Sequence, residues 1–356
     1  MTSPPQRSWL PGPVAVHPEV LAAMVRPMPA PRSAEGRALL ERVGNGLRQL
    51  FRTRRPVVTA TTSATGMVEA AIRCGVRERV LCVVAGHAGE RAARVAERCD
   101  RDVVRLHVPP GEALEPALLA QLLDGPPVDA VVLVHAETSM GVQHPIVDLL
   151  RLVRPMPDVV TIVDASTTLG ATDVDPERWG ADVVFSSSQR AVGIPPGLTF
   201  AAISDRFLVR AAEQQDRGLH LDLVTLNEAA IEGHTLETPA LPQLLALDVQ
   251  LARIAAEGLE ARWARHRAMR EMVEQWVERH GRCTMVAPAG RRADAVSALR
   301  LGPGRSAAEL ARALHTEGWD IATANELTDR IFCIGHMGDA TADDLAALLA
   351  HLEPRL

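Results

Sequence analysis

Val159-Val160-Thr161-Ile162-Val163-Asp164-Ala165-Ser166 is a short apolar run that ends in a carboxylate. Consecutive β-branched residues without polar alternation mark a strand covered on both faces. Similar runs lie on either side of it. Upstream are Val57–Ala60, Val80–Val84, Val103–Leu106 and Ala130–Val134; downstream are Ala181–Phe185 and Thr199–Ile203. Stretches patterned as helices separate them. The alternation predicts βαβ units, hence an α/β fold with a mostly parallel seven-stranded sheet between helices. In such sheets ligands sit at the carboxyl ends of the strands, where Asp164 lies. A charge at the end of an apolar strand is costly unless it is paired.

Beyond this region the pattern changes. Leu259–His280 reads as one long charged helix. Ser306-Ala307-Ala308-Glu309 is a capping box for a helix that stops near Gly318, and Thr341-Ala342-Asp343-Asp344 opens another. Arg330–Ile334, between them, reads as a strand. The expected organisation is an N-terminal segment (1–20), a large domain (21–250) and a smaller C-terminal α/β domain (251–356), the last two sharing one cleft.

Apolar residues make up 47% of the 356-residue chain, enough for a substantial core. The formal charge is −6, with both signs interspersed and no basic stripe, so no nucleic-acid partner is expected. Met1 to Pro13 lacks the apolar stretch of a signal peptide, and no run is long enough to span a bilayer. Cys74, Cys82, Cys99, Cys283 and Cys333 are odd in number and lack CxxC spacing. They read as buried thiols of a cytoplasmic protein, with no metal site expected. There is no lysine: all 38 basic side chains are arginine. Tyrosine is absent too, and codon bias can account for both losses on the surface.

Several polar stretches fall at predicted strand ends. Thr61-Thr62-Ser63-Ala64-Thr65-Gly66 opens a helix, where free N–H groups and hydroxyls suit a phosphate or form an ordinary N-cap. Ala85-Gly86-His87-Ala88-Gly89-Glu90-Arg91 holds the one nearby residue type that titrates near neutrality. His135-Ala136-Glu137-Thr138-Ser139-Met140-Gly141 and Ser186-Ser187-Ser188-Gln189-Arg190 add hydroxyl and amide donors.

Together with Pro11-Gly12-Pro13 and Ile334-Gly335-His336-Met337-Gly338-Asp339, these stretches resemble, in order, the motifs of class V aminotransferases of the alanine–glyoxylate/serine–pyruvate type. The resemblance covers nearly the whole chain. It implies the fold-type I architecture of pyridoxal phosphate (PLP) enzymes and a homodimer. It also implies that Ser63, Ala64 and Thr65, with Ser187 and Gln189, cradle the cofactor phosphate or orient its ring. Ser139 would contact the ring oxygen and Asp164 the ring nitrogen. Thr238, in His234-Thr235-Leu236-Glu237-Thr238-Pro239, would be lent to the partner subunit's phosphate site.

The chain departs from the family pattern at the positions that carry the chemistry. Arg190 stands where the family has the lysine that condenses with the cofactor aldehyde. A guanidinium stays protonated and cannot do this. Ala88 stands where an aromatic ring stacks on the cofactor, and Cys333 where an arginine grips the substrate carboxylate. Thr235 replaces an expected tyrosine. Arg190 reads either as an anion clamp or as the ion-pair partner of Asp164. Cys333 has no base beside it in sequence and reads as inert.

Three readings follow. In the first, a repurposed, biosynthetic enzyme binds an anionic or phosphorylated small molecule, or PLP or pyridoxamine phosphate, without a covalent bond; Arg190, Asp164 and His87 are its candidate catalytic residues. In the second, a catalytically inactive subunit completes the site of an active paralogue. In the third, an aminotransferase-like enzyme acts on a small amino acid.

Overall fold

A computed structural model of the chain describes residues 7–324 and 328–356; the first six residues of the expected N-terminal segment lie outside the described residues. The seven predicted strands all form. They are β1 (Val57–Ala60), β2 (Arg79–Val84), β3 (Asp102–His107), β4 (Ala130–Val134), β5 (Val160–Asp164), β6 (Val183–Ser187) and β7 (Thr199–Ile203). They join in the order β1-β7-β6-β5-β4-β2-β3. Every pairing is parallel except those of β7, which runs antiparallel to β1 and β6.

Alternate residues of each strand feed opposite cores, as the period of two demands. On β2, Leu81 and Val83 pack with Leu39, Leu47 and Phe51 of α1 (Ala34–Phe51), while Val80 and Cys82 face Met67 and Ile72 of α2 (Ala64–Gly75) and Ala93 and Ala96 of α3 (His87–Arg98). This two-sided burial is why the runs read as continuously apolar.

Four strand starts in this sheet differ from the sequence reading; β2 and β3 each begin one residue earlier. β5 begins and ends one residue later, so Asp164 belongs to the ladder, opposite Val134 and Phe185. β6 begins at Val183 rather than Ala181. The Asp182 carboxylate is engaged by the Thr161 N–H (2.9 Å), the Ser204 hydroxyl (2.7 Å) and Arg206, which hold this residue outside the strand.

The helix α4 (Leu241–Glu257) packs on the first core, and the expected boundary at 250 falls within it. Gly258, with φ +81°, turns the chain into α5 (Leu259–His280). The C-terminal sheet is antiparallel, in the order β8 (Cys283–Met285), β9 (Val296–Leu301), β11 (Ile331–Gly335), β10 (Ala322–Thr323). Its helices α6 (Ala307–Thr316) and α7 (Ala342–Leu352) start where predicted: the Ser306 hydroxyl accepts from Glu309 N–H and Thr341 from Asp344 N–H, each at 3.2 Å. Among the described residues no helix is long and apolar enough to cross a membrane.

Candidate anion-binding cleft

Asp164 ends β5, and its Oδ1 accepts from the Ser166 N–H at 2.8 Å. Among the described residues it forms no ion pair, so the expected alternative of an Arg190–Asp164 salt bridge is not what forms. Arg190 instead donates from Nη1 to the Pro11 carbonyl oxygen at 2.7 Å. The reason lies in how its loop is held. The Gln250 amide donates to Val192 O (2.9 Å), and buried Arg262 donates to Ala191 O (3.2 Å) while pairing with Asp339 (3.0 Å) and Glu257 (2.8 Å). These bonds fix residues 191 and 192, and the Arg190 side chain runs under Gly12. Burial pushes the Arg190 pKa below its ordinary value; the charges of Asp164 and Glu137 oppose this and that of Arg91 adds to it.

Arg190 lines a cavity of about 380 Å³ with Pro11, Gly12, His87, Thr138, Ser139 and Cys333. His87 is the first residue of α3. The Cys333 thiol donates to Ser139 O at 3.6 Å, and burial pushes its pKa up to about 12, so it is held as an unreactive thiol.

The hydroxyls divide into committed and free. Ser63 caps α2 by accepting from Gly66 N–H (3.3 Å). Ser188 is used by Pro195 O (2.8 Å) and Leu198 N–H (3.3 Å). The Ser187 hydroxyl is buried without a partner among the described residues. Ala64 and Thr65 line a narrow pocket with Asp164, Ala88, Arg91 and Phe185. Gln189 is part-buried, and its carbonyl receives the Val14 N–H at 3.1 Å. Thr238 is not brought to this site within the chain. Its loop borders a separate, largely apolar cavity of about 280 Å³ against Leu40, Val43 and Leu244.

Sequence reasoning assigned no role to Glu137 or Arg91. Glu137 is buried; its Oε1 accepts from Ala88 N–H (3.2 Å) and from the Ser139 hydroxyl (3.3 Å), and its Oε2 has no partner among the described residues. Burial pushes its carboxyl pKa above the ordinary value, against the N–H groups of Ala88 and Gly89. It stands in for the side-chain cap that Gly86 cannot give α3. The signal was in the sequence: like Asp164, Glu137 is a lone carboxylate just after an apolar strand. Arg91 lies one helical turn after Ala88, a spacing that puts both on one face of α3.

Sheet order, helical cover and site position define a fold-type I PLP-transferase. The family model "Aminotransferase class-V" matches residues 32–324, and the chain belongs to that family. It is 30% identical over 352 residues to an uncharacterized aminotransferase of Methanocaldococcus jannaschii, covering 97% of this chain and 91% of that protein. It is 27% identical over 347 residues to pyridoxamine–pyruvate transaminase of Mesorhizobium japonicum, covering 95% and 88%. The crystal structure of alanine–glyoxylate aminotransferase from Nostoc sp. superposes with a TM-score of 0.93 at 27% identity, covering 99% of this chain and 96% of that one.

The family implies PLP, and the residues present meet its needs only in part. Asp164 and the Ser187 hydroxyl are in place. Residue 190 offers no amine, and neither does any other side chain. The pocket beside Asp164 holds about 10 Å³, room for about one water. The chain therefore offers a carboxylate and a hydroxyl for the ring and no side-chain amine for a covalent bond to it.

Proposed function

We propose that this chain keeps the class V aminotransferase scaffold without lysine-dependent transamination, and that its cleft binds a small anionic or phosphorylated molecule by ion pairing and hydrogen bonding alone. The observation that carries this reading is Arg190: a part-buried guanidinium on a cavity of about 380 Å³, bonded to a carbonyl oxygen and, among the described residues, to no carboxylate. Such a fork of donors binds carboxylate or phosphate oxygens two at a time. Ser139 supplies a hydroxyl at the same cavity, and Pro11 and Gly12 roof it. Asp164 is placed to take a cationic or N–H group of the ligand.

Pyridoxamine phosphate belongs to the same ligand class and would enter only with Arg91 displaced. The test is direct. Purified protein incubated with PLP and reduced with borohydride should show no pyridoxyl adduct on any internal peptide, and inorganic phosphate should raise its melting temperature. An internal adduct, or no response to any small anion, overturns the reading.

The position of Thr238 supports a subunit partner. Its loop carries exposed Leu236 and borders a cavity that Asp164 does not line, which suits a segment lent to a second chain. A homodimer, or a pair with a lysine-bearing paralogue, is distinguished by the mass of the purified complex.

A further inference from the structure

The cleft contains a second cation, to which the proposed function gives no role. Arg91 projects from α3 into the wall of the Asp164 pocket, between Thr65, Ala88 and Phe185. On its other side it borders an open groove of about 870 Å³ with His87, Glu90, Arg94 and His107. His87 is common to that groove and to the Arg190 cavity, and Arg91 is near enough for its charge to act on Arg190.

Neighbouring arginines here are neutralised. Arg94 pairs with Glu90 at 3.2 Å, and Arg105 pairs with Glu90 and Glu97 at 3.3 and 2.6 Å. Among the described residues Arg91 forms neither an ion pair nor a hydrogen bond, and Arg190 forms no ion pair. The carboxylates close by are Asp164, held by the Ser166 N–H, and Glu137, whose Oε1 faces Ala88 N–H and Ser139. Glu90, on the groove side, is taken up by Arg94 and Arg105, so among the described residues neither Arg91 nor Arg190 has a carboxylate of its own. Two like charges brought together in a part-buried cleft repel each other, at a cost in stability that a ligand of opposite charge relieves.

We propose that Arg91 and Arg190 form a two-cation cradle, and that the ligand of this cleft is a small dianion, a dicarboxylate or a phosphate, with Arg91 as the residue that selects two charges over one. The inference rests on the cleft being an anion site, and it adds which anion.

The experiment is calorimetric titration of the full chain with malonate, inorganic phosphate and acetate, above neutral pH where phosphate is doubly charged. Wild type is expected to bind malonate or phosphate about ten-fold or more tightly than acetate, as one further charged hydrogen-bonding partner implies. Arg91→Gln should lose that preference while acetate binding stays, and Arg91→Lys should recover part of it. Arg190→Ala should weaken all three anions. Malonate stronger than phosphate points to a dicarboxylate and the reverse to a phosphate; either order supports the cradle. An Arg91→Gln protein that keeps the full dianion preference overturns the role of Arg91 and leaves the anion site standing. A wild type that binds none of the three overturns both.

Discussion

Arg190 Nη1 donates a 2.7 Å hydrogen bond to the carbonyl oxygen of Pro11, joining residues 179 apart in the chain. The bond closes the Pro11–Pro13 turn over the loop that follows β6, and it aims the guanidinium along the cavity rather than at Asp164. Gly12 makes the arrangement possible. A Cβ there would stand 2.7 Å from Arg190 Cδ and 2.8 Å from Nε, at a φ of +154° that side chains rarely adopt.

Gly12→Ala is therefore expected to displace the Arg190 side chain while leaving the sheet intact. Phosphate affinity by calorimetry should fall roughly ten-fold, the worth of one charge-assisted hydrogen bond. An unchanged affinity would show that Gly12 does not control the guanidinium.

Arg190→Lys puts a primary amine at the position the family uses for its cofactor bond. The shorter ammonium side chain gives up the fork of donors and gains the ability to lose a proton. Reduction with borohydride after exposure to PLP should add one pyridoxyl mass, mapped by peptide analysis to residue 190 and absent from wild type. If the variant stays unmodified, more than the amine is missing from the cleft.

The scaffold was largely legible. Ala130–Val134, Thr199–Ile203 and Leu259–His280 match the structure to the residue. Ala130–Val134 is an apolar run bordered by Asp129 and His135, Thr199–Ile203 stops at Ser204, and the helix is closed by Gly258 and Gly281, both at positive φ. The site was legible as a set of positions and not as a set of contacts. Nothing local to Arg190 shows that its partner is Pro11, because that bond depends on how Gln250 and Arg262 hold the loop beyond it. Asp182 read as part of a strand because composition does not show that its carboxylate is already engaged by Thr161 and Ser204.

Glu137 ties the loop after β4 to the start of α3. Truncation to alanine leaves the Ala88 N–H without its acceptor and should cost about 1–3 kcal/mol in urea unfolding. Glu137→Gln keeps a carbonyl oxygen in that place, so it should cost less. The two variants also differ from wild type in pH response. Because burial raises the folded pKa of Glu137 above its ordinary 4.5, its ionisation destabilises the fold, and that component of stability returns as pH falls through the folded value. Glu137→Gln should remove this component. Equal losses for the two variants would count against the capping role.

Four buried histidines, His135, His144, His266 and His336, set the acid side of the stability curve, and burial holds His266 well below its ordinary value. Burial pushes His135 down to about 3, and His144 and His336 to about 4, from 6.5. Each makes a hydrogen bond inside the core: His135 Nδ1 meets Thr168 Oγ1 at 2.9 Å, His144 Nδ1 accepts from Leu114 N–H at 2.9 Å, His336 Nε2 meets Ser297 Oγ at 2.9 Å, and His266 Nδ1 meets Arg262 O at 2.7 Å. The unfolded chain takes up these protons first, so their stabilising contribution is complete above the unfolded value of 6.5 and is lost as pH falls toward about 4. The slope is about 1.4 kcal/mol per pH unit for each group that titrates only in the unfolded state. In His144→Asn the amide oxygen can still accept from Leu114 N–H, and the residue no longer titrates. Urea unfolding from about pH 7 to about pH 5 should then show a slope shallower by about one proton than wild type. A slope identical to wild type would mean that His144 already exchanges its proton in the folded protein and is not sealed in the core.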